Sequence, residues 1–408
     1  MLINSDLHLH SRFSGATSQQ MSIKRIAEES KRKGVELVST GDCLHSKWLD
    51  EIRHCTPVDE GTLELNGTRF ILGTEVEGSN RVHHLLYFPN LSSLTDFKKK
   101  IRPHSANLET DGRPNLKLNG EQIAQFAKDV GALIGPSHIF TPWTALYAYH
   151  DSLKACYGDL TPYISFIELG LSADTDYADR ISELSRLTFL TNSDAHSPHP
   201  VRLAREFNRL KVEDATFEEV KKALLRMGGR TCTLNVGLPP EEGKYNESAC
   251  ISCRTHFSLR EALSKKWRCQ CGGRIKKGVK DRISELADLP IGCHPSYRPP
   301  YLHIIPLAEI VSAALGQASP FTKRVNDEWL NLIRAFGNEV RVLVDAGIDE
   351  LTKVTTPAVV RAIEAFRQRK VTIHPGGGGE YGRIDLASQI EVEALFEEKQ
   401  KSIFDYGG

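Results

Sequence analysis

Two short motifs limit what this chain can fold into. Asp6-Leu7-His8-Leu9-His10 follows the apolar run Met1-Leu2-Ile3, and Asn192-Ser193-Asp194-Ala195-His196 follows Leu187-Thr188-Phe189-Leu190. Both runs read as strands, and two residues separated by one neighbour face the same side of a strand. Each motif therefore aims a pair of ligand-type side chains at one point. Histidine with carboxylate suits zinc, manganese or iron, and such a mixed set suits hydrolysis by a metal-bound water.

The rest of the first 235 or so residues alternates between strand-like and helix-like patterns. The spacing predicts a helix from Ser22 to Gly34, and strands at 35–40, 70–74, 82–88, 132–135 and 163–169. Further helices are predicted at 122–130, 177–187 and 216–227. Alternation of this length implies parallel strands in an α/β barrel or open sheet. Ligand-type residues follow the strands, which is where α/β barrels keep their active sites. They are His8 and His10, Asp42 with His45 nearby, Glu75, the neighbours His83 and His84, His138, and Asp194 with His196. A lone buried histidine is usually a hydrogen-bonded core residue. Six such groups at strand ends are better read as one metal constellation. His83 and His84 cannot both face it from one strand, and His83 is favoured. Arg12, Lys47 and Arg202 lie near these ligands in sequence and are candidates for holding phosphate.

After Pro239-Pro240-Glu241-Glu242-Gly243, which reads as a linker, come Cys250-Ile251-Ser252-Cys253 and Cys269-Gln270-Cys271, with 15 residues between the pairs. Four thiolates in two close pairs, Cys250, Cys253, Cys269 and Cys271, suit one tetrahedral structural zinc, with His256 as an alternative ligand. The 408-residue chain has a formal net charge of zero, so no global field points to nucleic acid. Between Arg260 and Arg282, however, nine basic residues stand against two acidic ones. Lys265, Lys266, Arg268, Arg274, Lys276, Lys277 and Lys280 are the expected contacts to a phosphate backbone, with Trp267 placed to stack on a base. The N-terminal residues hold no basic n-region, and no stretch is long enough to span a membrane. A cytoplasmic protein with no membrane partner is expected, in which nine cysteines mean metal binding or buried thiols.

His-x-His after the first strand, the Gly41-Asp42 turn, Glu75, a histidine on the next strand, His138 and Asp194-x-His196 resemble the polymerase-and-histidinol-phosphatase (PHP) superfamily. The resemblance implies a distorted (β/α)7 PHP-type barrel holding two or three divalent ions, zinc, magnesium or manganese. His8, His10, Glu75 and Asp194 would hold one ion and be the catalytic residues. Glu75 would bridge to a second, held also by His138 and by His83 or His84, and a third would use His196 and Asp42. The chain departs from the superfamily in having Thr40-Gly41-Asp42 where Thr-Asp-His is common.

The barrel motifs are followed by Tyr245-Asn246-Glu247-Ser248-Ala249-Cys250, by 272–282, by Arg298-Pro299-Pro300-Tyr301 and by Pro375-Gly376-Gly377-Gly378-Gly379. This succession resembles the endonuclease Q family over essentially the whole chain. The resemblance implies a DNA repair nuclease cutting 5′ to a deaminated base (uracil, hypoxanthine or xanthine) or an abasic site. It also implies an α/β barrel over 1–238, a small zinc-ribbon domain over 244–285 and a mainly helical C-terminal domain over 286–395. In the remaining tail, 396–408, Gln400, Ile403 and Phe404 are similar to sliding-clamp-binding peptides. A phosphatase on a small phosphoester would explain the barrel but leave the ribbon and its charge without a role. A catalytically inactive DNA-binding adaptor would leave the ligand set without one.

Overall fold

The computed structural model describes residues 1–385. Seven strands make a circuit: β1 (Leu2–Asp6), β2 (Leu37–Ser39), β3 (Thr68–Glu77), β4 (His83–Phe88), β5 (Leu133–Pro136), β6 (Phe166–Glu168) and β7 (Thr188–Leu190). β1, β2 and β3 pair in parallel, as do β6 and β7. β5 lies beside β6. The circuit returns to its start through a parallel bridge between Leu9 and Ala195, just past β1 and β7. Two further strands, β8 (Phe207–Lys211) and β9 (Thr231–Gly237), add to the outer edge of β1 through β8.

The strands alternate as period two requires. Ile3, Leu37, Ile71, Leu85, Phe166 and Leu190 pack together with one face of the helix Phe217–Leu225. Their neighbours Val38, Phe70, Leu86, Ile134, Ile167 and Phe189 face the surrounding helices. The first helix, Ile23–Lys33, starts where Ser22 accepts a hydrogen bond from the Arg25 amide and stops at Gly34, whose φ of 86° is left-handed. Its bounds agree with the sequence expectation.

Two expectations fail here. The sheet is mixed, because β4 runs antiparallel to both β3 and β5. The chain between Glu77 and His83 is too short for the crossover that a parallel neighbour needs. The predicted helix at 177–187 is only a short turn of helix, Thr175–Ala178, and a 3-10 turn, Ser182–Leu184. The Ser182 amide donates to Asp288 Oδ1 (2.8 Å) instead of to a carbonyl four residues back, which ends the helical ladder.

Beyond the barrel, Tyr301–His303 pairs in parallel with β9 and so extends the barrel sheet. The helices Leu307–Ala314, Lys323–Phe336 and Pro357–Arg367 follow. They are tied to the barrel by buried Glu339, which accepts from Lys33 Nζ (2.5 Å), the Leu307 amide (3.1 Å) and Trp329 Nε1 (2.7 Å). The glycine run is packed against the linker rather than exposed as a loop. Gly376 N donates to Glu241 O (2.8 Å) and Gly379 N to Lys244 O (3.0 Å). No helix among the described residues is long and apolar enough to cross a membrane.

Candidate metal centre and nucleic-acid surface

The ends of β1 and β7 are locked together before any ligand is considered. Asp6, fully buried, accepts from Ser193 Oγ (2.5 Å), Ser193 N (3.1 Å) and Ala204 N (3.2 Å). Asn192 Oδ1 accepts from Leu7 N (3.0 Å), and His10 N donates to Ala195 O (3.0 Å). This places His8, His10, Asp194 and His196 on one side. Asp194 Oδ1 is 3.6 Å from His8 Nε2 and 3.2 Å from His10 Nε2.

Glu75, near the C-terminal end of the long strand β3, sits at the centre. Its Oε1 is 3.7 Å from His8 Nε2, 3.0 Å from His83 Nδ1 and 3.2 Å from His138 Nε2, and its Oε2 is 3.5 Å from His10 Nε2. Three groups of donor atoms lie within 4.8 Å of one another: His8–His10–Glu75, His10–Asp194–His196 and Glu75–His83–His138. The choice of His83 over His84 agrees with this geometry. His84 points away, bonded to Tyr157 Oη (2.8 Å), and burial pushes its pKa down to about 3.

The atoms at the centre fit metal ions. His8 Nε2, His10 Nε2 and Asp194 Oδ1 are buried without a hydrogen-bond partner, a state that native proteins rarely leave uncompensated, and His138 turns its Nε2 to Glu75. The opposite ring nitrogens of two histidines are anchored by carboxylates. His8 Nδ1 bonds to both Glu168 oxygens (2.9 and 3.0 Å), and His10 Nδ1 to Asp42 Oδ1 (3.1 Å). A carboxylate on the far nitrogen is the usual support of a metal-bound histidine.

Asp42 therefore departs from its expected role as a ligand. Its Oδ2 is filled by Ser11 N (2.6 Å), Ser11 Oγ (2.7 Å) and Ser14 Oγ (2.9 Å), so it has no oxygen left to offer. Its partner in the expected third site, His196, lies instead with His10 and Asp194. His45 is also outside the centre, where it caps the helix Ser46–Ile52 and stacks on Phe13.

Charge follows the same geometry. Burial opposes ionisation of Glu75 and Asp194, yet the surrounding histidines hold both carboxyls well below the usual range. Burial would lower His8, but Glu168, Glu75 and Asp194 hold it well above its ordinary value. Asp42, His138 and Asp194 all have left-handed backbones, with φ of 48°, 27° and 46°. Such strain in residues other than glycine is concentrated at functional sites.

The centre opens into a cleft of about 330 Å³ lined by Arg113, Arg205, Lys244, Tyr245 and Tyr381 among others. None of the three cations proposed from sequence lines it. Arg12 pairs with Glu51, Lys47 is exposed, and Arg202 is replaced in the cleft by Arg205. Sequence reasoning missed Glu168 and Arg113. Glu168 is a carboxylate closing an apolar strand, a signal of the same kind as Glu75. Arg113 comes from a loop with no periodic pattern.

In the ribbon, the antiparallel pair Ala249–Cys250 and Ile275–Lys276 brings the cysteines together. Cys250 and Cys271 sulfurs are 3.5 Å apart, and those of Cys253 and Cys269 are 3.6 Å apart. A tetrahedral zinc with Zn–S bonds of about 2.3 Å sets sulfurs about 3.7 Å apart, so the four thiols fit one ion. Gly273 is required at the turn, because a Cβ there would lie 2.6 Å from Cys250 Sγ. His256 bonds to Glu247 (3.1 Å) and stands outside the cluster.

The basic run divides into two kinds. Lys277 pairs with Glu285 (2.6 Å) and Lys280 with Glu247 (3.2 Å). Lys265, Lys266, Arg268, Arg274 and Lys276 have no ion pair among the described residues, and Arg268, Arg274 and Lys266 are exposed. Lys276 lies 3.4 Å from the ring centroid of Trp143, a residue of the barrel region, and burial brings its pKa down to about 8. Gln400, Ile403 and Phe404, expected from sequence to bind a sliding clamp, lie outside the described residues.

The fold, the ligand set and the relatives of the chain define a metal-dependent nuclease built on an α/β barrel. A family model for the MJ0043 C-terminal domain matches residues 306–370. The chain is 49% identical to the MJ0043 protein of Methanocaldococcus jannaschii over 265 residues, 64% of this chain but 32% of that relative. It is 33% identical to the YqxK protein of Bacillus subtilis over 94% of this chain and 99% of that one. Among solved structures it is similar to the lesion-specific endonuclease PfuEndoQ of Pyrococcus furiosus, with 50% identity, a TM-score of 0.90, and 94% and 95% of the two chains covered. A complex of endonuclease Q with a 27-mer duplex carrying an abasic lesion matches at 49% identity and a TM-score of 0.91, covering 96% of this chain and 98% of that one. The chain belongs to the endonuclease Q family.

Proposed function

We propose that this protein is a DNA repair endonuclease that hydrolyses the phosphodiester bond 5′ to a deaminated base (uracil, hypoxanthine or xanthine) or an abasic site. The observation that carries the reading is the set of unpartnered ligand atoms, His8 Nε2, His10 Nε2 and Asp194 Oδ1, gathered around Glu75 in a cleft rimmed by cations. The two relatives with solved structures act on, or are bound to, lesion-bearing DNA, and they cover nearly the whole chain.

His8, His10, Glu75 and Asp194 would hold one ion and Glu75, His83 and His138 a second, and His196 beside Asp194 would serve a third. Zinc, magnesium and manganese all suit these donors. Bound divalent ions would lower the pKa of water toward neutrality and neutralise phosphate charge. The protein's own part is positional. Glu168 and Asp42 fix the rings of His8 and His10. Asp194, half-exposed at the cleft and held ionised, is placed to orient the attacking water rather than to take its proton. The ribbon, with a structural zinc on Cys250, Cys253, Cys269 and Cys271, would carry the unpaired cations along the duplex. An extruded lesion is cheapest where pairing is already weak, which supplies part of the selectivity.

The test is cleavage of a labelled duplex carrying one deoxyuridine, deoxyinosine or abasic site, with Mg²⁺ or Mn²⁺, beside Asp194→Ala. One cut immediately 5′ to the lesion, absent from undamaged duplex and from the variant, is expected. Binding without any cut would leave a DNA-binding adaptor. Neither binding nor cutting, with phosphate released from small monoesters, would leave a phosphatase.

A further inference from the structure

Arg113 reaches the candidate metal centre from a loop that supplies none of its ligands. The loop is pinned on both sides of it. Gly112 N donates to Phe13 O (3.0 Å), Glu77 N donates to Pro114 O (3.0 Å), and Leu116 N donates to Glu77 O (2.7 Å), so residues 114–116 run along the end of β3 as an extra edge. Leu108, Leu116 and Leu118 are buried beneath it. Gly112 presses on the support of His10, since a Cβ there would lie 2.4 Å from Asp42 Oδ2. A loop fixed this closely delivers its side chain to one place, and that place is the wall of the cleft shared with His83, His138, Asp194 and His196.

The guanidinium is only partly used there. Nη1 donates to Glu75 Oε2 (3.2 Å), while Nε and Nη2 have no acceptor among the described residues. The side chain keeps 30% of its exposure. Glu75 is not short of partners without this cation, because four imidazole nitrogens already lie 3.0 to 3.7 Å from it. A permanent positive charge beside a centre built for cations is unfavourable until an anion joins it. The planar fork matches two oxygens of a phosphodiester, and its free donors face the side from which substrate must come.

We infer that Arg113 binds the non-bridging oxygens of the scissile phosphodiester and is a catalytic residue of the cleavage reaction. This inference rests on the endonuclease reading above. Its charge and fork place the phosphorus against Asp194 and the histidines, and they stabilise the charge on the phosphoryl oxygens as the bond is cut.

The experiment compares wild type, Arg113→Ala and Arg113→Lys on the deoxyuridine duplex under single-turnover conditions, with duplex affinity, bound metal and added guanidinium ion measured in parallel. Arg113→Ala is expected to cut about 100-fold or more slowly while keeping its metal and most of its duplex affinity. Guanidinium ion is expected to restore part of that rate and to leave wild type unchanged, and Arg113→Lys to fall between the two. An Arg113→Ala variant that cuts at the wild-type rate would overturn the inference. So would one that loses its metal and is not rescued by guanidinium, which would make Arg113 a structural counter-ion of Glu75. A wild-type protein that cuts no lesion would instead overturn the endonuclease reading itself.

Discussion

The barrel centre and the ribbon both gather metal-ligating side chains, but they assemble them in opposite ways. In the barrel the ligands come from distant strands, and backbone contacts such as the Leu9–Ala195 bridge and the Asp6–Ser193 bonds hold them in place. Carboxylates stand behind the rings, and the surrounding core is continuous. In the ribbon the ligands come from 22 residues of sequence, Cys250 to Cys271, and the paired strands are two residues each. Of its four cysteines only Cys250 is buried. The barrel would thus position metal with a fold that stands without it, whereas the ribbon would need metal to hold its fold. Preorganised donors serve chemistry, and a metal-dependent scaffold serves to present charge.

The widest separation between the two regions is expected on chelation. Stripping metal, or replacing Cys253 and Cys269 together by serine, should abolish hydrogen-exchange protection over 249–276, because structural zinc supplies on the order of 10 kcal/mol of folding energy to such modules. Protection of β1, β3 and β4 should survive. Equal loss in both regions would erase the distinction.

A smaller effect separates ligands from their supports within the barrel. Glu168→Ala frees His8 Nδ1 and leaves the His138 amide and Asn192 Nδ2 without their acceptor. Metal affinity or cleavage should fall about 10- to 100-fold, as for other carboxylates behind a metal-bound histidine. Asp42→Ala should behave alike, whereas loss of all bound metal in the Asp42 variant would return that residue to the ligand set.

In the ribbon the division between paired and free cations is testable by salt titration. Arg274→Ala with Lys276→Ala should reduce the slope of log affinity against log salt by roughly 0.9 per charge removed. Lys277→Ala with Lys280→Ala should change it less, since Glu285 and Glu247 already neutralise those side chains. Equal slopes would make the ion pairs irrelevant to DNA.

The smallest effect concerns a buried acid of the barrel region that no metal explains. Glu206 is fully buried, its Oε2 has no partner, and burial pushes its pKa up to about 8. A carboxyl with a raised folded-state pKa binds its proton more tightly folded than unfolded. Its contribution is therefore greatest below its unfolded pKa and declines as pH rises through the folded value near 8. Glu206→Gln, which keeps the acceptor for Leu238 N (2.8 Å), should raise the melting temperature relative to wild type more at pH 9 than at pH 5. The same difference at both pH values would show that Glu206 does not change protonation on unfolding.

Much of this was legible in the sequence where local period carries the information. His8-x-His10 and Asp194-x-His196 sit past apolar runs, and alternation on a strand assigns each pair one face. The same rule shows that only one of His83 and His84 can face the site, and the contacts of His84 with Tyr157 and of His83 with Glu75 decide for His83. Asp42 misled because residue type alone does not distinguish a ligand from the carboxylate that holds a ligand; three serine-derived donors on its second oxygen decide the matter. Strand direction was misread because helix-like stretches between most strands implied parallel crossovers throughout, although the short link from Glu77 to His83 already pointed to a hairpin. Arg113 was invisible because its position depends on a loop adding to the end of β3. The charge of the ribbon was legible as a count but not as a surface, since Glu247 and Glu285 lie outside the basic run or at its edge.

The most direct measurement is an anomalous-scattering map from crystals grown with Mn²⁺, recorded at the manganese and zinc edges. Manganese peaks are expected between His8, His10, Glu75 and Asp194 and between Glu75, His83 and His138, with one zinc peak among the four cysteines. No peak within bonding reach of Glu75, or a peak held by Asp42, would contradict the barrel centre described here.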